Sequence, residues 1–127
     1  MKYIDTKELR KNFLMSHEKG YVTPEFKLQL TRIVELIMNM KNQLMLSELD
    51  CKALKWATLK GVCIYWDNYN YKKYDNPLPY FTEVTKRMIA KNYNQLINLR
   101  EQYFYEMIVK QRNEKIRKIN DISRTQG

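Results

Sequence analysis

Apolar residues recur every three to four positions along most of this 127-residue chain. The clearest stripe begins at Phe26 and continues through the apolar residues Leu28, Leu30, Ile33, Val34, Leu36, Ile37, Met40 and Leu44. This period is typical of an amphipathic helix with a wide buried face. Thr23 can cap such a helix and Pro24 suits its first turn, so a helix is predicted from there to about residue 45.

Two more helices are predicted on either side of this one. Within residues 1–22, Thr6 is the expected N-cap of a short amphipathic helix that has Leu9, Phe13 and Leu14 at helical spacing and ends near Gly20. It is interpreted as an accessory helix. Ser47 is the expected cap of a third helix, which carries apolar residues as far as Trp66.

A polar, Tyr-rich loop over residues 67–76 precedes the last helix. Asn76 stands before Pro77, which disfavours helix before the proline and permits it afterwards, so a long final helix is predicted to begin near 77–79. From Gln111 the chain is mostly charged, and the tail is expected to be partly disordered.

These patterns predict an all-α fold, a compact three- to four-helix domain with a long C-terminal helix. The core domain is assigned to residues 23–110, and residues 111–127 form a basic tail. The scarcity of turn formers supports this fold class, since the chain has only 3 Gly and 3 Pro.

Charge adds a candidate partner. The 23 Lys and Arg against 14 Asp and Glu give a net charge of +9, which attracts polyanions, so nucleic acid is the first partner to consider. Ten Tyr residues add rings that can stack on unpaired bases.

Other classes of function find little support. The chain has no Gly-rich phosphate loop and no nucleophile with a nearby His, so no catalytic residue and no cofactor are predicted. His17 is the only histidine, and Cys51 and Cys63 are interpreted as reduced packing residues, which predicts no metal site. The absence of a long apolar run predicts a cytoplasmic protein with no membrane partner.

The start of the last helix carries both cations and amides. Lys86, Arg87 and Lys91 can contact phosphates, and Asn94 can pair with a base edge. The preceding loop supplies tyrosines that can stack on flipped-out bases. This mixture is typical of a protein that opens DNA.

The segment DNYNYKKYDNPLPYFTEVTKRMI, residues 67–89, resembles conserved region 2 of the sigma-70 family, above all the small late-gene sigma factors of T-even-like tailed phages. The shared pattern is an Asn-aromatic pair, a Lys-Tyr, and then Asn-Pro-x-x-Tyr-x-Thr opening a basic helix. Tyr3 to Phe13 also resembles their N-terminal Lys-Glu-Leu helix. The likeness covers most of the chain and is strong over residues 61–92.

The resemblance implies an RNA polymerase sigma factor-like subunit that directs bacterial core RNA polymerase to late promoters. It would capture single-stranded bases of a −10-like, AT-rich promoter element. If the chain is phage-encoded, its compartment is the cytoplasm of the bacterial host.

The family's DNA contacts carry over by position. Tyr69 and Tyr80 would hold the unstacked base, and Thr82 matches the family's Thr in the same helical turn. Lys86 matches a basic residue that faces the DNA backbone, and Arg87 stands where a duplex-reading side chain is expected.

The resemblance also implies a polymerase-binding face, directed at the clamp helices of the largest subunit. It would lie on the helix from Ser47 to Trp66, with these contact residues: Glu48, Asp50, Leu54, Trp56 and Lys60. Trp56 and Trp66 are ten residues apart on nearly the same helical face, which favours a core position for both. Trp56 nevertheless remains a candidate polymerase contact, because it lies on the helix that corresponds to the polymerase-binding helix of the family.

Two positions depart from the family pattern. The tryptophan pair that wedges the duplex in primary sigma factors is replaced by Glu83 and Val84, which implies weaker melting or help from a phage co-activator. The family's acidic residue on the polymerase-binding helix is Ala57 here, and Glu48 and Asp50 are its candidate substitutes. No −35-reading domain is recognised, so specificity is expected to rest on the −10-like element.

Two other functions stay open at this point. A helical phage adaptor or inhibitor could bind a host factor through the same basic surface, without sequence-selective DNA binding. A helix-turn-helix regulator would bind duplex DNA alone, although the chain lacks the short Gly-containing turn between two helices that this motif uses.

Overall fold

The computed structural model describes residues 4–40 and 46–126, and the described residues contain helices but no strand. The helices are α1 (Thr6–Lys19), α2 (Pro24–Met40), α3 (Glu48–Tyr65) and α4 (Leu78–Gln126), with a single 3-10 turn at Trp66–Asn68. The predicted all-α fold with a long C-terminal helix is confirmed. The predicted end of the second helix near Leu44 lies outside the described residues.

The N-cap of α1 differs from the prediction. Asp5, not Thr6, caps this helix, because its carboxylate accepts hydrogen bonds from the backbone N–H of Lys7 (3.0 Å) and of Glu8 (3.2 Å). Thr6 is already helical and is the first residue of α1. Gly20 ends the helix at φ 81°, a left-handed conformation that glycine adopts without steric cost.

The caps of α2 and α3 agree with the sequence. Thr23 Oγ1 accepts a hydrogen bond from the Phe26 N–H at 3.3 Å. Ser47 Oγ accepts one from the Asp50 N–H at 3.2 Å. Thr23 is also bonded to the buried Ser16 hydroxyl at 3.1 Å, so the end of α1 and the start of α2 share one polar contact.

The core joins α1 to the rest of the first 93 residues. Leu9 and Phe13 are completely buried, and the Phe13 ring contacts Phe26 at 6.0 Å, Trp66 at 5.7 Å and Tyr69 at 4.9 Å between centroids. The sequence suggested an accessory helix here, whereas α1 supplies the centre of an aromatic cluster. Its removal would open the core.

Close contacts also fix α3 against its neighbours. Lys55 of α3 forms an ion pair with Glu35 of α2, with Nζ 2.7 Å from Oε1. Gly61 lies so close to α4 that a Cβ built on it would be 2.5 Å from Met88 Sδ. A small residue at this position lets α3 and the first turns of α4 pack tightly.

The two tryptophans, one within α3 and one directly after it, lie in different environments. Trp66 is buried, as predicted, but Trp56 is 57% exposed. Ten residues at 3.6 per turn leave an angle of about 80° between them, enough for one side chain to face the core and the other to face solvent. The prediction that both lie in the core was therefore wrong for Trp56.

The chain packs as two compact units, Met1–Tyr93 and Asn94–Gly127. The second unit consists of the remainder of α4, in which every described residue from Asn98 to Ile122 is exposed. Helix continues to Gln126, where the sequence suggested partial disorder, because no Gly or Pro interrupts it. No helix among the described residues has the length and apolar content needed to cross a membrane.

Candidate nucleic-acid interface

The Tyr-rich loop between the 3-10 turn and α4 is anchored by Tyr69. This side chain is only 3% exposed and stacks on Tyr80, with 5.6 Å between centroids and 30° between ring planes. Its hydroxyl donates a hydrogen bond to the Tyr74 carbonyl. Tyr69 therefore supports the ring of Tyr80 from the core side.

Arg10 of α1 holds the same loop from outside. Its guanidinium donates hydrogen bonds to the backbone carbonyls of Tyr71 (3.2 Å), Tyr74 (3.1 Å) and Asp75 (3.2 Å), and to the Tyr69 hydroxyl at 3.4 Å. A planar guanidinium with several donors suits this arrangement of acceptors. One side chain thus fixes the path of the loop.

Asparagines complete the local geometry of the loop. The Asn70 side chain accepts a hydrogen bond from the Lys73 N–H at 3.3 Å. The Asn76 side chain accepts one from the Leu78 N–H at 3.0 Å, which caps the start of α4. Short polar side chains of this type favour turns and helix starts because they bond to nearby backbone N–H groups.

The phenols of Tyr69 and Tyr80 stay protonated at neutral pH. Burial raises the pKa of both hydroxyls; Asp67 adds to the increase at Tyr80, whereas Arg10 opposes it at Tyr69. The Tyr80 hydroxyl accordingly donates to the Tyr65 carbonyl at 2.6 Å. Both pKa values lie above those of tyrosine in the unfolded chain. The stability that the two protonated phenols contribute is therefore present below pH about 10 and is lost as the pH rises above it.

A pocket of about 660 Å³ opens between the loop and the first turns of α4. Its volume lies within the range of small-ligand sites. Its walls combine aromatic rings, amides and charged groups, contributed by Asn68, Tyr69, Asn70, Lys73, Tyr74, Asp75, Asn76, Pro79, Tyr80, Glu83, Val84 and Arg87. We call this cavity the loop pocket. Rings for stacking, amides for hydrogen bonding and cations for phosphate meet there.

Arg87 is the cation that α4 contributes to the loop pocket. It pairs with Glu83 one turn earlier at 3.2 Å, but both side chains are largely exposed. Exposed pairs of this type stabilise a helix by only about 0.3–0.5 kcal/mol, so Arg87 can exchange Glu83 for a phosphate at little cost.

Two of the predicted DNA contacts lie outside the loop pocket. Thr82 lies about 160° around α4 from Tyr80, whereas Lys86 lies on the exposed side of α4 with Glu83 and Arg87. Lys86 is exposed and Thr82 is partly buried, and neither lines the loop pocket. The structure therefore does not bring these two residues into the loop pocket with Tyr69, Tyr80 and Arg87.

The last two predicted DNA contacts follow further along α4. Lys91 is exposed and lies one turn beyond Arg87 on the same flank. Asn94 is exposed and is the first residue of the second compact unit.

Some of the predicted polymerase-binding residues on α3 are exposed, and others are buried or bound within the protein. Glu48, Trp56 and Lys60 are exposed. Leu54 is 3% exposed and belongs to the core, so its side chain is not on the surface. Asp50 is half-buried and accepts a hydrogen bond from the Ser47 hydroxyl at 2.9 Å, which engages it in the helix cap.

An apolar stripe runs along the exposed side of α3. Leu49 is 78% exposed, Trp56 57% and Ile64 60%. Ala53 and Ala57 lie between them at helical spacing and are also exposed. We call these five residues the α3 stripe. Contiguous exposed apolar residues mark interaction surfaces.

Sequence reasoning missed several residues that shape the loop pocket. Arg10 acts from 59 to 65 positions away in the sequence, and no local pattern signals such a contact. Four other missed residues lie within the motif that resembles sigma region 2, namely Asn68, Asn70, Lys73 and Asn76. The sequence signal that could have identified them is an amide or a positive charge next to aromatic residues.

Residues 4–40 and 46–126 offer no group of three or more His, Cys, Asp or Glu side chains arranged to hold a metal ion. Comparison of the chain with protein-family models, with curated proteins and with solved structures gave no match. The functional interpretation therefore depends on the motif and on the geometry of the loop pocket and the α3 stripe.

Proposed function

We propose that this protein is a sigma factor-like promoter-specificity subunit that binds bacterial core RNA polymerase and captures bases of a −10-like, AT-rich element. The observation that carries the proposal is the loop pocket. It combines stacking, hydrogen-bonding and phosphate-binding groups within the segment whose sequence resembles sigma region 2.

In this proposal Tyr80 supplies the ring on which a flipped base stacks. Tyr69 is buried behind it, so it holds the Tyr80 ring in place instead of meeting the base face directly. One such stack contributes roughly 1–3 kcal/mol, comparable with the few kcal/mol that unstacking a base costs. The flexible steps of AT-rich DNA lower that cost further.

The amides and cations of the loop pocket supply the remaining contacts. Asn68 carries an amide that can pair with a base edge, whereas the side chains of Asn70 and Asn76 already accept backbone hydrogen bonds through their oxygens. Their NH₂ groups remain donors toward a base. Lys73 and Arg87 are placed to contact the flanking phosphates.

The α3 stripe is the proposed polymerase-binding face. Trp56 is its largest side chain, and aromatic side chains of this type dominate the energy of protein interfaces. Lys60 lies within the stripe, between Ala57 and Ile64, and Glu48 lies beside it, so both can set its orientation on a partner. Leu54 is buried, so it would contribute by packing α3 against the core.

The test is co-elution of the purified protein with bacterial core RNA polymerase, followed by DNA binding of the complex. Trp56→Glu should abolish co-elution, because it places a charge at the centre of an apolar face. Tyr21→Glu is the matched control, since Tyr21 is also 57% exposed but lies between α1 and α2. Both variants must retain the far-ultraviolet circular dichroism of the wild type.

The second arm uses AT-rich DNA with 2-aminopurine in the unpaired element. Fluorescence should report base capture by the wild-type complex and lose that signal in Tyr80→Ala. No complex with polymerase would overturn the proposal. Co-elution without any preference for the AT-rich element would instead support the adaptor or inhibitor hypothesis, which requires no sequence-selective DNA binding.

A further inference from the structure

The second unit carries a stripe of apolar and charged side chains, most of which are exposed. Its members follow one another at steps of three or four residues, namely Ile97, Glu101, Phe104, Ile108, Arg112, Lys115 and Ile119. We call this the α4 stripe. Its six steps advance the chain by 22 positions, from 97 to 119. The average step of about 3.7 residues is close to the helical period of 3.6, so the stripe stays on one side of a straight helix.

Three of the four apolar members of the α4 stripe are exposed to solvent, and Ile97 is half-buried. Phe104 is 65% exposed, Ile108 47% and Ile119 53%. Helices derive most of their stability from packing such a face against something else, and an unpacked face contributes little. Among the described residues, Glu101, Arg112 and Lys115 form no ion pair.

The charges within the α4 stripe indicate which partner covers it. If a second copy packs antiparallel with Ile108 against Ile108, residue 97 faces residue 119 and residue 101 faces residue 115. Ile97 then meets Ile119, and Glu101 meets Lys115. The twofold axis repeats each pair, so both copies satisfy their charges.

The same register places Phe104 opposite Arg112. A guanidinium over an aromatic ring is attracted to the ring face, which accounts for a cation near the middle of an apolar stripe. A parallel pair would instead oppose Glu101 to Glu101, Arg112 to Arg112 and Lys115 to Lys115. Like charges in facing positions disfavour that arrangement.

We propose that the protein forms a homodimer through the α4 stripe, as an antiparallel helix pair centred on Ile108. The paired segment from residue 97 to residue 119 is about 33 Å long. Self-association is independent of the proposed DNA and polymerase contacts, because every residue of the α4 stripe lies in the second unit. It can therefore be tested on the protein alone.

The experiment is sedimentation equilibrium of the full chain over a wide concentration range. The wild type should form dimers, and Ile108→Glu should weaken dimerisation about 100-fold, because two carboxylates would meet at the axis. Tyr103→Glu is the control, since Tyr103 is 65% exposed but lies about 140° around the helix from Ile108. Circular dichroism checks that all variants remain helical.

Charge reversal tests the orientation. Glu101→Lys and Lys115→Glu should each weaken the dimer about tenfold, because each change disrupts two pairs, and the double variant should recover wild-type affinity. A parallel dimer would show no such recovery pattern, since each single change only exchanges one like-charge pair for another.

Three outcomes would overturn the proposal. The first is a wild-type protein that stays monomeric at millimolar concentration. The second is a dimer that withstands Ile108→Glu as well as it withstands Tyr103→Glu. The third is a double charge reversal that fails to restore the affinity lost in the single variants.

Discussion

Two buried threonines in the first unit have the same exposure but different hydrogen bonding. Thr58 of α3 and Thr85 of α4 are both completely buried. The Thr85 hydroxyl donates to the Phe81 carbonyl at 2.6 Å. The Thr58 hydroxyl has no hydrogen-bond partner among the described residues. A buried hydroxyl without a partner forgoes its hydration and gains nothing in return.

We therefore expect Thr58→Val to stabilise the fold and Thr85→Val to be neutral or destabilising. Valine has nearly the same shape as threonine, so the change removes the hydroxyl with little change in packing. Removing an unpaired buried hydroxyl should contribute about 1 kcal/mol, which raises the melting temperature by several degrees, roughly 4–8 °C, in a domain of this size. Thermal melts of both variants measure the difference. Equal shifts at the two positions would contradict this account.

At the scale of elements, α1 contributes both to the core of the first unit and to the shape of the loop pocket. Phe13 is packed against Phe26, Trp66 and Tyr69. Arg10, one turn earlier on the same helix, holds the loop that forms the pocket. The helix thus stabilises the core through Phe13 and shapes the loop pocket through Arg10.

Phe13→Ala should accordingly destabilise the protein by about 3–5 kcal/mol, because it empties the centre of the aromatic cluster. Leu14→Ala, at the neighbouring but 36% exposed position, should change the free energy of unfolding by about 0.5 kcal/mol or less. Urea denaturation gives both values. A small effect of Phe13→Ala would mean that α1 is an accessory helix after all.

Much of the element layout could be predicted from local sequence. Thr23 and Ser47 cap the helices that follow them because capping depends on residues only two or three positions away. The core position of α1 could not be predicted, since its partners are remote in sequence. Trp56 shows a second limit, because helical period alone does not say which side of α3 faces the core.

The candidate site divides in the same way. Tyr80 and Arg87 were predicted and line one pocket, while Thr82 and Lys86, chosen from the same motif, do not line it. A motif gives the order of residues but not the flank of the helix that each occupies. Arg10 was missed because a contact across 61 to 65 positions has no local signature.

At the scale of the whole molecule, a net charge of +9 makes any binding to DNA sensitive to salt. Each phosphate neutralised by a cation releases counterions, so the logarithm of the affinity falls with the logarithm of the salt concentration. The slope of that dependence has two sources. One is the general attraction between the basic chain and DNA, and the other is the set of specific phosphate contacts in the loop pocket.

If the proposed contacts are correct, Arg87→Gln and Lys73→Gln should each reduce the magnitude of the salt slope by about 0.7–0.9. Tyr80→Ala should lower affinity for the unpaired element while leaving the slope unchanged, because stacking releases no counterion from a phosphate. Lys11→Gln, an exposed cation on α1, is the control for loss of charge alone. Titration of fluorescent fork DNA by the polymerase complex at several salt concentrations separates these effects. Equal slope changes for Lys11→Gln and Arg87→Gln would mean that DNA is held by the overall charge of the protein and not at the loop pocket.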